Sequence, residues 1–173
     1  MIYVFVVLEV GTRRTLHWNV TEHPTADWTA QQFRMIVPGD QAHRSVIHDR
    51  DTIYAEGVDR TLEAMGLAVL KTPARVPQAK TFCERLIGTI RRECLDVVIP
   101  MTERHLRAIL REWIGHCNRG RPHASLGPGI PERPVDDGIG GSNGQRLPAG
   151  YGVAATAILG GLHHEYRLER QAA

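Results

Sequence analysis

The sequence predicts an α/β fold class, a mixed sheet flanked by helices, and three observations predict it. Apolar runs of strand length alternate with amphipathic helical patterns, glycine and proline punctuate the joints between them, and the pattern gives way to a glycine-rich stretch near residue 127. A chain of 173 residues with 42% hydrophobic residues suits one core plus a tail.

Residues 1–10 form a nearly continuous apolar run rich in valine, which predicts a strand buried on both faces. Gly11-Thr12 predicts a turn, and 13–21 a second strand with Leu16, Trp18 and Val20 alternating against polar residues, so the two make an edge hairpin. Thr25 or Asp27 can cap a helix ending near Pro38-Gly39, with Trp28, Gln32 and Met35, or Phe33 and Ile36, sharing faces. Residues 45–48 read as a short strand, 52–65 as a helix carrying Ile53, Val58, Leu62 and Met65 and stopped by Gly66, and 67–70 as another strand. Two prolines in 72–77 predict a loop. A helix over 79–96 places Cys83, Ile87, Ile90 and Cys94 on one core-facing stripe. A second, over 102–117, does the same with Leu106, Ile109, Leu110, Trp113, Ile114 and Cys117, with Thr102 as N-cap.

Ten of the 17 glycines fall between Gly127 and Gly161. The predicted division is therefore a core over 1–126 and a Gly/Pro-rich linker and tail over 127–173, with a short element near 153–166.

No run reaches the roughly 18 apolar residues of a membrane helix, and the apolar start lacks a basic flank and a cleavage site, which predicts a cytoplasmic protein without a membrane partner. Cys83, Cys94 and Cys117 match neither a disulfide framework nor paired zinc ligands and read as small core residues. The net charge of +2 is unevenly spread. Residues 75–121 carry ten Lys/Arg against five Asp/Glu, a local +5, and the rest of the chain carries −3. A basic stretch beside an acidic remainder fits a polyanion partner or a solvated helix face.

In α/β sheets, functional groups gather beyond the carboxyl ends of strands. Asp49 follows the strand at 45–48 and precedes a helix, and Glu84 lies early in a later helix, 35 residues on. Alone, the aspartate reads as a cap and the glutamate as a complement to the helix dipole. The turn His48-Asp49-Arg50-Asp51, the helix start Ala79-Lys80-Thr81-Phe82-Cys83-Glu84-Arg85, and the segment from Cys117-Asn118-Arg119-Gly120-Arg121-Pro122-His123 to Leu126 change that balance. Together they resemble the retroviral-integrase-like transposases, over residues 3 to about 131.

The resemblance implies a ribonuclease-H-like fold and a site of two aspartates and a glutamate that binds two Mg²⁺ or Mn²⁺ ions for DNA strand transfer. It implies that Asp49 is the second acid and Glu84 the last, both catalytic and metal-binding. Asp51 competes with Asp49 at its turn but stands where the family often has glycine, and reads as a cap. Lys80, Arg85, Arg91, Arg92 and Arg121 are the implied DNA contacts, with an exposed helix face as the plainer reading of the arginines. Asn118, Arg121, Pro122 and His123 fit either a loop beside the site or a helix stop held by local hydrogen bonds. The implied partners are DNA, as mobile-element ends and target, and a second copy or a full-length transposase.

The family's first aspartate lies on a strand preceding the hairpin, and the resemblance places residues 1–10 on the family's second strand. Glu9 then reads as a turn residue, and the expected reading is a core that starts after its first strand and is inactive in strand transfer by itself. The two strands flanking the omitted one would face a gap of about 9–10 Å. The alternative function is a fragment that binds DNA or a partner without chemistry; a ribonuclease-H-type nuclease shares the fold but not the 118–126 segment.

Overall fold

The computed structural model describes residues 1–37, 43–49, 51–71, 81–127, 129–132, 147 and 149–171. They fall into two compact units, one of Met1–Leu8 and Leu16–Ile99, the other of Glu9–Thr15 and Pro100–Ala173. No helix among the described residues is long and apolar enough to cross a membrane. The predicted stop at Pro38-Gly39, the loop at 72–77, positions 79–80 and most of 127–152 lie outside the described residues.

In the first unit, β1 (Tyr3–Leu8) pairs with β2 (Thr15–Thr21), and β3 (Ser45–His48) pairs in parallel with β4 (Ala68–Lys71). Helix α1 (Ala26–Ile36) is capped by the Thr25 hydroxyl, which accepts from the Trp28 N–H. Phe5 of β1, Ala30 and Phe33 of α1, Val58 and Leu62 of α2 (Glu56–Ala64) and Leu67 form one buried cluster, with Val46 and Val69 packed against it. Phe5 meets Trp28 and Phe33 edge-on, at ring separations of 5.7 and 5.6 Å. Gln32 is buried on the same helix because its side-chain oxygen accepts from Asn19 at 2.7 Å and lies 3.0 Å from the His17 ring nitrogen. Those partners offset the cost of burying an amide.

The joint between α2 and β4 is a Schellman turn. The Leu67 N–H reaches back to Leu62 O, the Gly66 N–H to Glu63 O, and Gly66 adopts φ +80°, a conformation glycine takes without steric cost. Leu62 and Leu67, joined by that bond, both enter the core.

Several expectations change. Residues 1–10 are not buried on both faces: Phe5 is buried, while Tyr3 and Val4 are exposed. The turn is wider than Gly11-Thr12, because Arg13 takes the left-handed conformation (φ 65°) and donates its N–H to Glu9 O. Met35 is exposed, since α1 turns the face of Thr29, Ala30 and Phe33 inward. The described strands form three two-stranded sheets rather than one mixed sheet, the β1–β2 and β3–β4 pairs sharing a core but no ladder.

Helix α3 (Thr81–Ile90) runs directly into a π-helical turn, Arg91–Leu95, in which the Asp96 N–H bonds to Arg91 O. The predicted stripe is buried only at its end. Ile90 and Cys94 are covered, whereas Cys83 and Ile87 are exposed.

In the second unit, α4 (Glu103–Arg119) is capped by Thr102 and buries Leu106, Ile109, Leu110, Trp113 and Ile114 as its spacing predicts. The tail element is a hairpin of β5 (Tyr151–Ile158) and β6 (His163–Arg170), antiparallel, with Tyr151 opposite Arg170. It rests on α4 through Glu112, which accepts from the Leu159 N–H, and through Glu165, whose carboxylate lies 2.9 Å from the His116 ring nitrogen.

Candidate metal and nucleic-acid site

Asp49 stands where the parallel pair β3–β4 ends. Its carboxylate accepts the Asp51 N–H at 3.2 Å, and Asp51 in turn caps the short 3-10 turn Thr52–Tyr54 by accepting from the Ile53 N–H. The capping role expected of Asp51 is therefore present, which leaves Asp49 as the acid at the end of the strand. An open cleft of about 670 Å³ lies here, lined by His48, Asp49, Asp51, Tyr54, Glu56 and Lys71. Three carboxylates face one ammonium in that lining, a balance suited to a cation.

Behind the cleft is a group of which the motifs held only His48. His48 and Asp59 are both buried, and Nε2 of His48 lies 2.9 Å from Oδ1 of Asp59. Lys71 Nζ lies 2.5 Å from the other carboxylate oxygen of Asp59. Burial pushes the Asp59 carboxyl up, but hydrogen bonds and charge from Lys71 and His48 outweigh it and hold the group below its ordinary value. The His48 ring also stacks on Tyr54, with centroids 4.5 Å apart. Burial, then the negative charges of Asp49, a Cys83 thiolate and Asp51, push the Tyr54 phenol up to about 12. Sequence held one other trace of this group: Asp59 is a charged residue beside Val58 on the apolar side of its helix, and both are buried.

Glu84 sits in the first turn of α3 and is exposed. It does not line the cleft. The Cys83 thiol is pushed above its ordinary value by desolvation, then by Asp49, then by Glu84. Arg85, Arg91 and Arg92 are exposed on α3 and its π turn, and Arg92 lies over Gly88, where an added Cβ would come within 3.0 Å of its guanidinium. Lys80 lies outside the described residues.

Arg121 belongs to the second unit, where its local role is visible. The Asn118 side chain clasps the backbone of Thr15 reciprocally, accepting its N–H and donating to its carbonyl, both at 3.0 Å. The Asn118 backbone oxygen accepts from the Glu132 N–H. Just beyond, the His123 imidazolium is disfavoured by burial, then by Arg121 and Arg13, and the ring holds the Ser125 hydroxyl at 2.9 Å. Asn118 is thus a clasp on a segment far away in sequence, which neither the loop reading nor that of a helix stop with local hydrogen bonds foresaw. Glu9, expected as a turn residue, accepts from the Thr12 hydroxyl within the same hairpin turn.

Among the described residues, no three His, Cys, Asp or Glu side chains come together as a ready metal cage. Mg²⁺ does not require one: it keeps several waters and is commonly bound through one or two carboxylates plus substrate phosphates. Hard carboxylate donors at Asp49 and Glu84 fit that ion better than they fit zinc, which prefers nitrogen and sulfur ligands.

No curated protein matches the chain. Residues 66–131 match the family described as Integrase core domain, a stretch that takes in Glu84, Arg85, Arg91, Arg92 and Arg121 and begins after Asp49. That stretch, a little over a third of the chain, is thus similar to the catalytic core of integrases and transposases.

Proposed function

We propose that this chain carries part of a ribonuclease-H-like site for Mg²⁺- or Mn²⁺-dependent DNA strand transfer, with Asp49 and Glu84 as its metal-binding catalytic carboxylates. The observation that carries this reading is that Asp49, at the end of β3, lines a cleft in which three carboxylates face one ammonium, while the integrase-core match over 66–131 takes in Glu84. Two acids from separate elements are the donor set an ion bridging protein and phosphate needs. When bound, such ions stabilise the attacking and leaving oxygens of in-line displacement at phosphorus.

The residues of the chain do the rest. Asp49 is held by the Asp51 N–H, Glu84 stands exposed at the start of α3, and Arg85, Arg91 and Arg92 present positive charge along the same helix. Their task is to hold the DNA backbone, with Lys80 and Arg121 adding to it. In this reading, residues 1–126 supply the core, and 127–173 are an appended segment that includes the β5–β6 hairpin. DNA is the partner, with a second copy or a full-length transposase as a further one.

Calorimetric titration of the chain with Mn²⁺ tests the reading. Asp49→Asn and Glu84→Gln should each weaken binding by about tenfold or more, since each removes a charged ligand. Affinity unchanged in both variants would overturn the assignment.

A further inference from the structure

We propose that Asp59 is a positioning residue of the Asp49 site, holding Asp49 in place through His48 while its own carboxylate stays out of the cleft. This rests on the reading of Asp49 as a metal ligand.

Asp59 is 7% exposed on α2, beside the fully buried Val58. A buried carboxylate is costly unless its oxygens find partners, and here each oxygen has its own. Oδ1 meets His48 and Oδ2 meets Lys71. His48 and Lys71 are register partners on the last rung of the parallel pair, so one side chain of α2 ties the carboxyl ends of β3 and β4 together. A carboxylate placed only to stabilise the sheet would need no further link.

The link continues, however. The other ring nitrogen of His48 lies 2.5 Å from the backbone oxygen of Asp49. With an N–H on each ring nitrogen, since the Asp59 carboxylate and the Asp49 carbonyl both accept, the result is a chain from Asp59 through the ring to the backbone of the acid at the cleft. Stacking on Tyr54 fixes the ring plane, and the Asp51 N–H holds the Asp49 carboxylate from the other side. Metal-binding histidines are oriented in the same way by a carboxylate behind them; here the histidine passes the constraint to a neighbouring backbone instead. Asp59 is absent from the cleft lining, which separates it from the groups that would touch an ion or a phosphate.

The test is Mn²⁺ calorimetry on the full chain with Asp59→Leu, Asp59→Asn, His48→Phe and Asp49→Asn, with circular dichroism to verify folding. Asp59→Leu should weaken binding by about tenfold, the lower end of what losing an outer partner costs. Asp59→Asn keeps an oxygen acceptor for His48 and should stay within about threefold of the parent. His48→Phe keeps the stack on Tyr54 and leaves Asp59 paired with Lys71, so it decides the matter if Asp59→Leu does not fold. It too should lose about tenfold.

Unchanged affinity in His48→Phe, or a loss in Asp59→Asn as large as in Asp59→Leu, would overturn the positioning role while leaving Asp49 as a ligand. Binding that Asp49→Asn does not weaken would overturn the metal reading and this inference together.

Discussion

The two long helices carry similar apolar stripes in sequence and use them differently. Helix α4 buries every large member of its stripe from Leu106 to Ile114, whereas α3 buries only Ile90, followed by Cys94 in the π turn. Its first two turns leave Cys83, Glu84, Arg85 and Ile87 exposed. Periodicity shows that a helix has an apolar side; it does not show how much of that side is covered. The helix with the covered stripe is a packing element, and the partly uncovered one carries the candidate chemistry.

Stability should divide the same way. Trp113 is fully buried, so Trp113→Ala should cost about 3–5 kcal/mol, while Ile87→Ala, at a site 49% exposed, should cost less than about 1 kcal/mol. Urea unfolding followed by circular dichroism measures both. Equal losses would mean that α3 packs as tightly as α4. Within α4, the Trp113 indole N–H is buried without a hydrogen-bond partner among the described residues. Trp113→Phe should therefore cost much less than Trp113→Ala, because it keeps a ring and removes the unsatisfied donor.

The exposed side of α3 makes the next contrast. Alanine at Arg85, Arg91 and Arg92 together should weaken binding to nonspecific duplex DNA and lower the magnitude of its salt dependence by about one unit for each phosphate that is no longer neutralised. Alanine at Arg107 of α4 should change neither, since its guanidinium is held by Glu103 at 2.8 Å. Fluorescence anisotropy across a salt series separates the cases, and an unchanged slope in the triple variant would remove α3 from the DNA interface.

Much of this arrangement was legible in the sequence. Thr25 and Thr102 announce their helices because a hydroxyl three residues before an N–H is a local device, and both form the expected bond. Asp49 was placed at a strand end by the apolar run before it, and Asp51 was separated from it as a cap. What sequence could not show depends on three elements meeting. The bonds joining Asp59, His48 and Lys71 span β3, α2 and β4, and no local pattern encodes them. The π turn after α3 was hidden for a related reason: it moves the register of Arg91–Leu95 without changing residue types. The register of the hairpin turn was missed because Arg13, not Gly11, takes the left-handed conformation.

Tyr54 gives the finest comparison, because it senses the charge of the cleft without being a candidate ligand. Its phenol is held at about 12, against an ordinary 10.0, by burial first and by the charge of Asp49 next. A raised value in the folded chain means that the neutral phenol is favoured by folding. Its contribution to stability is fully present below pH 10 and is lost as the pH rises towards about 12, because the unfolded chain ionises first. Tyr54→Phe should therefore flatten the fall in stability over that window relative to the parent. Asp49→Asn should move the Tyr54 titration, followed by the ¹³C resonance of the phenol carbon, down towards 10.0 without reaching it, since burial remains the larger cause. Saturating Mg²⁺ should move it in the same direction in the parent and have no effect in Asp49→Asn. A Tyr54 resonance that ignores both the substitution and the ion would mean that Asp49 does not govern the charge of the cleft.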